Sequence, residues 1–380
     1  MDFYKRTGTL LLCIFFFWAA EPHTSKAAEI NVPTLNAPYA FVQNLETGRV
    51  LYEKSASVKV PMASTTKIMT AMIVSRHCSL TETVTVSAAA AGTSGSSMHL
   101  TAGEKISVRA LLYGLMLVSG NDAAVALAEH TSGSTEAFCR LMNEKAAELN
   151  CTNTHFTSPH GLDDEDHYTT AEDLGRIARA YTQDPLLSDI CNTKLITIEG
   201  HTLTNTNPLL GVSPHVSGMK TGYTGNAGYC LVVKAQHGGA SYIIVLLGCP
   251  TSKARRRDAF SMTNYVVEQY RLYQLYPKGH VVGTVQIQAG KMDEMDAVLS
   301  QNVQCLLKPE ERDQIREDFI PMKTSFSAPL SHQVPVGTFR LFIGEELLLE
   351  TPVVPFKTVT KKNFWHHFLD VLTAWIYLFE

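Results

Sequence analysis

Nothing in this chain is built to cradle a nucleotide or to steer a nucleic acid. The sequence has no Walker loop, no dinucleotide glycine fingerprint and no basic run interleaved with aromatics. Its formal net charge is −4, so it offers no strong positive field to a phosphate backbone. Arg255-Arg-Arg257 is a short basic cluster that reads as a solvated helix start. Metal-ligand spacing is missing too. The fourteen histidines are dispersed and no Cys/His cluster has zinc spacing, so neither a metal nor a cofactor is expected. The eight cysteines (Cys13, Cys78, Cys139, Cys151, Cys191, Cys230, Cys249 and Cys305) follow no repeating pattern. Without Cys13 an odd number remains, which fits buried small hydrophobes better than a disulfide framework.

Long apolar runs are also scarce. The stretch from Thr9 to Ala20 is shorter than the about 20 residues that cross a bilayer. With Lys5 and Arg6 before it, and small residues at Ser25 and Ala27 after it, it reads as a cleaved signal peptide over residues 1–27. The remainder of the chain is then exported. The remainder has ordinary globular composition, 45% hydrophobic and 18% charged, and 380 residues suit two or three domains.

What the chain does contain is three short boxes in a fixed order: Ser64-Thr-Thr-Lys67, Ser119-Gly-Asn121 and Lys220-Thr-Gly222. On a helix, Ser64 and Lys67 share one face, one turn apart. A serine hydroxyl is a weak nucleophile until a base stands next to it, and a lysine becomes that base when burial or a nearby cation lowers its pKa. The other boxes supply a second hydroxyl, an amide and a second ammonium. Each box alone is weak; Ser217-Gly-Met-Lys220 and Ser300-Gln-Asn302 are decoys of the first two. Context strengthens the set. Pro61-Met-Ala-Ser64 precedes the apolar helical run Ile68 to Ile73, so Ser64 stands at a helix N-terminus. Ser119 to Asn121 lies between the apolar helix Val108 to Val118 and another from Ala123. Lys220 comes just before Tyr229 to Val233 and Tyr242 to Leu247, which flank Gly238-Gly239 and read as a hairpin beside an edge strand.

The set resembles the penicillin-binding proteins and serine β-lactamases, and longer stretches resemble the low-molecular-mass D-alanyl-D-alanine carboxypeptidases, peptidase family S11. These stretches include Ser96 to Leu100, Leu111 to His130, Thr154 to Leu162, Lys220 to Thr224 and Ala227 to Tyr229. The resemblance implies an α/β serine-acyltransferase domain, an antiparallel sheet flanked by helices with a helical subdomain from about 85 to 190. It implies a peptidoglycan stem peptide ending in D-Ala-D-Ala as substrate and β-lactam antibiotics as acylating inhibitors. Carried onto this sequence, Ser64 is the acyl-ester nucleophile, Lys67 the general base and Ser119 a proton relay backed by Lys220 or Lys67. Asn121 meets the acyl-side amide; Lys220, Thr221, Gly222, Tyr223 and Thr224 line the carboxylate and oxyanion side, with the backbone N–H groups of Ser64 and Tyr223 as oxyanion donors. Many family members carry an arginine about fifteen positions before the third box; here Asn205-Thr-Asn-Pro-Leu-Leu210 has none. His160 reads as a structural histidine in a tight turn. The alternative activity is that of a serine β-lactamase, but no Glu-x-x-Leu-Asn element precedes the third box.

Within residues 28–276 the pattern predicts a hairpin from Tyr39–Val42 and Val50–Tyr52, and helices near 66–77, 108–118, 122–131, 135–149, 171–182 and 255–273. From Pro277 the texture becomes short alternating runs between Gly and Pro: 280–288, 304–307, 315–321, 324–329 and 339–352. These read as a small all-β C-terminal domain over 277–357, a docking module or spacer. In residues 360–380, Phe364, Phe368, Val371, Trp375 and Phe379 form one helical stripe, as in an amphipathic helix lying on a membrane surface. The chain is thus expected either at the outer face of the cytoplasmic membrane or secreted.

Overall fold

The computed structural model describes residues 32–365 together with Phe368 and Trp375. The expected signal peptide with Cys13, and most of the expected terminal helix including His366-His367, lie outside the described residues.

The N-terminal part runs β1 (Tyr39–Asn44), β2 (Val50–Lys54), α1 (Lys67–His77), β3 (Thr83–Thr85), α2 (Ala88–Ala91), β4 (Lys105–Ser107), α3 (Val108–Leu117), α4 (Asn121–Ser132), α5 (Thr135–Glu148), α6 (Ala171–Tyr181) and α7 (Pro185–Asn192). It continues with β5 (Leu195–Ile198), β6 (His201–Thr204), β7 (Val216–Thr224), β8 (Gly228–His237), β9 (Ala240–Cys249) and α8 (Ser252–Gln269). Its sheet is five-stranded in the order β2-β1-β9-β8-β7, with every pairing antiparallel. β7 is therefore an edge strand, as its sequence context suggested.

Both faces of this sheet are covered, which explains the unbroken apolar run Tyr242–Leu247 in β9. Ile243, Val245 and Leu247 face one core with α1, α3 and α4, while Tyr242, Ile244 and Leu246 face a second core with α8. A strand buried on two sides loses the polar alternation that marks a half-exposed one. Ser107, Ser134 and Thr170 cap α3, α5 and α6 by accepting from the N–H three residues on.

The C-terminal part holds β10 (Arg271–Tyr276), β11 (Val281–Gln288), β12 (Glu294–Leu299), β13 (Val303–Leu307), β14 (Ile315–Pro321), β15 (Ser325–Ser327), β16 (Gly337–Ile343) and β17 (Glu346–Pro355). Six of these form a sheet in the order β14-β16-β17-β12-β11-β15, and β10 pairs with β13. A third core, including Ile287, Leu299, Phe339, Leu341 and Val353, lies within this part.

Three details differ from the sequence expectation. α8 starts earlier, where the Thr251 hydroxyl accepts from Ala254 N–H at 3.0 Å, and ends at Gln269. Residues 271–276 then leave as β10, because pairing with β13 supplies hydrogen bonds that a longer helix would forgo. β12 was hidden in the acidic run from Asp293, yet Met295, Ala297 and Leu299 alternate inward along it. The run 339–352 is not one strand but the β16–β17 hairpin, turning at Gly344 with φ +56. Among the described residues no helix is long and apolar enough to cross a membrane.

Candidate active site

The first box sits where a short 3-10 turn, Ala63–Thr66, runs into α1. Ala63 is held at φ +49, an uncommon conformation for a residue with a Cβ. Lys67 is fully buried, and its Nζ donates to Ser64 Oγ at 2.9 Å, Asn121 Oδ1 at 2.7 Å and the His160 carbonyl at 2.9 Å. Three acceptors match the three N–H donors of an ammonium group. A neutral amine keeps two N–H donors and gains a lone pair, which in this arrangement can face the Ser64 hydroxyl. Burial first, and the charge of Lys220 second, push Lys67 well below the usual lysine range, opposed by the Asp122 carboxylate.

The second box is positioned from behind. Asn121 opens α4; its side-chain amide donates to the Ser94 carbonyl at 2.7 Å, which turns Oδ1 toward Lys67. A Cβ on Gly95 would lie 2.7 Å from that amide nitrogen, so only glycine fits there. The buried Asp122 carboxylate takes N–H bonds from Met98 and Leu100 and a hydroxyl from Ser97, folding residues 97–100 against α4. Ser119 has φ +63, and its buried Oγ has no hydrogen-bond partner among the described residues. A buried hydroxyl without a partner carries a desolvation cost, and such groups are frequent where chemistry is done.

β7 closes the third side. A Cβ on Gly222 would stand 3.1 Å from both Ser64 N and Ala63 Cβ, so the Lys-Thr-Gly strand lies directly against the turn that carries Ser64. Lys220 is buried, donates to the Thr221 carbonyl at 2.8 Å, and is lowered to about 7 by burial and by the nearby Arg255 charge. The hydroxyls of Thr221 and Thr206 lie 2.9 Å apart. Tyr223 is exposed beside Tyr229, with ring centroids 4.3 Å apart. The Thr224 hydroxyl donates to Asp163 at 2.5 Å and accepts from Ala227 N–H at 3.0 Å, pinning the end of β7 to the loop after Leu162.

Several participants escaped the sequence reading. His160 contributes its carbonyl; its Nδ1 accepts from Leu162 N–H, and burial holds its imidazole near 4. His167 braces the first box, with Nε2 2.8 Å from Thr66 Oγ1, and burial again holds it near 4. Thr206 comes from the segment noted for lacking arginine. Arg255 corrects the reading of a solvated basic cluster: it is buried, its guanidinium lies 5.6 Å from the centre of the Tyr229 ring, and it donates to the Cys230 carbonyl at 3.4 Å. A backbone carbonyl has no sequence signature. For Arg255 the only clue was that α8 must cover an apolar sheet face.

A family model described as D-alanyl-D-alanine carboxypeptidase matches residues 25–251. The chain belongs to this carboxypeptidase family. A second model, the C-terminal domain of penicillin-binding protein 5, matches residues 270–361. The D-alanyl-D-alanine carboxypeptidase DacF of Bacillus subtilis is 34% identical over 86% of this chain and 87% of its own length. The carboxypeptidase of Streptomyces sp. strain K15 is 36% identical, over 68% of this chain and 94% of its own. Among solved structures, penicillin binding protein 5 from Haemophilus influenzae superimposes with a TM-score of 0.76 at 26% identity, over 87% of this chain and 99% of that one. The sheet-plus-helix core with an all-β C-terminal domain is thus the architecture of carboxypeptidases of this type.

Proposed function

We propose that this carboxypeptidase removes the terminal D-Ala from peptidoglycan stem peptides through an acyl-ester on Ser64. The observation that carries this reading is the contact of a fully buried Lys67 amine with Ser64 Oγ at 2.9 Å, inside a wall completed by Asn121 and β7. The neutral amine takes the Ser64 proton as Oγ attacks the penultimate D-Ala carbonyl. The oxyanion is received by the N–H groups of Ser64 and Tyr223, which lie on the facing turn and strand. The Ser119 hydroxyl, buried without a partner among the described residues, hands its proton to the departing D-Ala amine and is reprotonated from Lys67, which gives up the proton it took from Ser64. Lys220, with Thr221 and its neighbour Thr206, receives the terminal carboxylate. Asn121 orients Lys67 and offers its amide to the acyl-side peptide, and water then hydrolyses the ester. Thr224 shapes the rim next to Tyr223, with its hydroxyl engaged by Asp163. A β-lactam presents a strained amide in place of the D-Ala-D-Ala bond and acylates Ser64 in the same way.

The organisation that goes with this reading is a signal peptide over 1–27, a catalytic domain over 28–276, a β-rich domain over 277–357 and a terminal membrane-surface helix over 360–380. β10 and β13 form the seam between the two middle domains, since Leu272 and Leu306 pack into the α8 core while Tyr273 and Leu307 pack into the β-domain core. Phe364, Trp365, Phe368 and Trp375 are helical and exposed, which favours an interfacial helix at the outer face of the cytoplasmic membrane. The test is a fluorescent penicillin with a D-Ala-release assay on a defined pentapeptide. Wild type takes a long-lived label and releases D-Ala; Ser64→Ala does neither. D-Ala release that persists in Ser64→Ala would overturn the assignment.

A further inference from the structure

The two helices that present Lys67 and Asn121 begin together at the active site and end together at the opposite side of the helical region. α1 has 11 residues and α4 has 12, so their far ends lie roughly 16–18 Å from the catalytic groups at about 1.5 Å per residue. Three unlike donors gather there. Cys78 Sγ comes from the residue that ends α1, His130 Nε2 from the last turn of α4, and a Glu82 carboxylate oxygen from the segment before β3; all lie within 4.8 Å of one another.

Each donor is already oriented. His130 Nε2 is 2.9 Å from Glu82 Oε2, and the other Glu82 oxygen accepts from Ser79 N–H at 2.5 Å. Cys78 Sγ is 3.3 Å from Thr131 Oγ1, whose hydroxyl donates to the Leu127 carbonyl at 2.7 Å. The side chains of His130 and Glu82 are 25% and 44% exposed, so an ion from solvent reaches them. Two helix C-termini converge on the same spot and add partial negative charge.

We propose that Cys78, Glu82 and His130 form a divalent-metal site of the zinc class that clamps the C-terminal ends of α1 and α4. Thiolate, imidazole and carboxylate together favour a borderline-soft ion over magnesium or calcium. Tetrahedral zinc separates such donors by about 3.3–3.7 Å, so side-chain rotation brings the three into range. The Cys78 proton passes to solvent on binding, and water fills the fourth position. Sequence spacing concealed the set, since 48 positions separate Glu82 from His130.

The probe is Co²⁺ added to the full chain, followed by Zn²⁺. A thiolate-to-cobalt absorption in the near ultraviolet is expected, abolished in Cys78→Ser and displaced by Zn²⁺. Six other described cysteines are present, so this variant identifies the thiol. Zinc affinity falls at least tenfold in Cys78→Ser, Glu82→Gln and His130→Ala, and Zn²⁺ raises the melting temperature of wild type but not of these variants. Penicillin labelling at Ser64 reports that each variant is folded, and it is independent of metal. No Cys78-dependent absorption, or zinc affinity in folded variants less than about threefold weaker than wild type, would overturn the site.

Discussion

The catalytic part and the C-terminal β part are built to different standards. Up to residue 270 the interior accepts Lys67, Lys220, Asp122, Arg255 and Asp258, all buried. Beyond it, the buried polar group among the described residues is Thr351 alone. Backbone strain divides in the same way: Ala63, Ser119 and four other non-glycine residues of the first part have positive φ, against Ala289 in the second. A β-domain core made of Ile287, Phe339, Leu341 and Val353 is optimised for packing. The catalytic core gives up part of that stability to bury two lysines, where desolvation, with the Lys220 charge acting on Lys67 and the Arg255 charge acting on Lys220, lowers their proton affinity.

The sharpest way to break this contrast is Lys67→Met. Acylation by penicillin should fall by about 10³-fold or more through loss of the base. The melting temperature should change little, because relief of the buried amine's desolvation offsets the loss of its hydrogen bonds to Asn121 Oδ1 and the His160 carbonyl. Unfolding at a much lower temperature would show that Lys67 is structural. Leu341→Ala makes the opposite case in the second part. The side chain is fully buried, so denaturant titration should register a loss of about 2–5 kcal/mol while labelling of Ser64 stays at the wild-type rate. A slowed acylation rate in that variant would tie the β domain to catalysis. A smaller effect is expected at the contact between the parts. Arg49, in the turn between β1 and β2, reaches Glu311 at 2.7 Å and Glu346 at 3.1 Å and donates to the Leu306 carbonyl. Arg49→Ala should cost about 1–3 kcal/mol and lower the midpoint of calorimetric unfolding. An unshifted midpoint would show that the clasp contributes nothing.

How much was readable in advance follows from where the information sits. Ser64–Lys67 was legible because one helical turn brings the pair together, and β8–β9 because a Gly-Gly turn joins two apolar runs. The edge position of β7 followed from the same local pattern. What was not legible depends on distant pairing or on groups that every residue carries. The end of α8 is decided by β13, thirty-odd positions on. The inward alternation of β12 is masked by its acidic outward residues, and Lys67's third acceptor is a backbone carbonyl at His160. Arg255 looked like surface because charge alone reports nothing about burial, and its guanidinium turned out to lie against Tyr229.

The central claim is that Lys67 acts as a neutral amine while Lys220 remains a cation, although both are buried. It is tested by the pH dependence of the second-order rate of Ser64 acylation by penicillin, which reports the free enzyme. Lys67 is held well below the ordinary lysine range, so the rate should rise as pH climbs through that lowered value and the base becomes free. Lys220 is lowered to about 7, so the rate should fall above that pH as the cation that meets the carboxylate is lost, and Lys220→Arg should move this falling limb to higher pH. A rate that stays low until the pH approaches that of an ordinary lysine, and then only increases, would contradict the account.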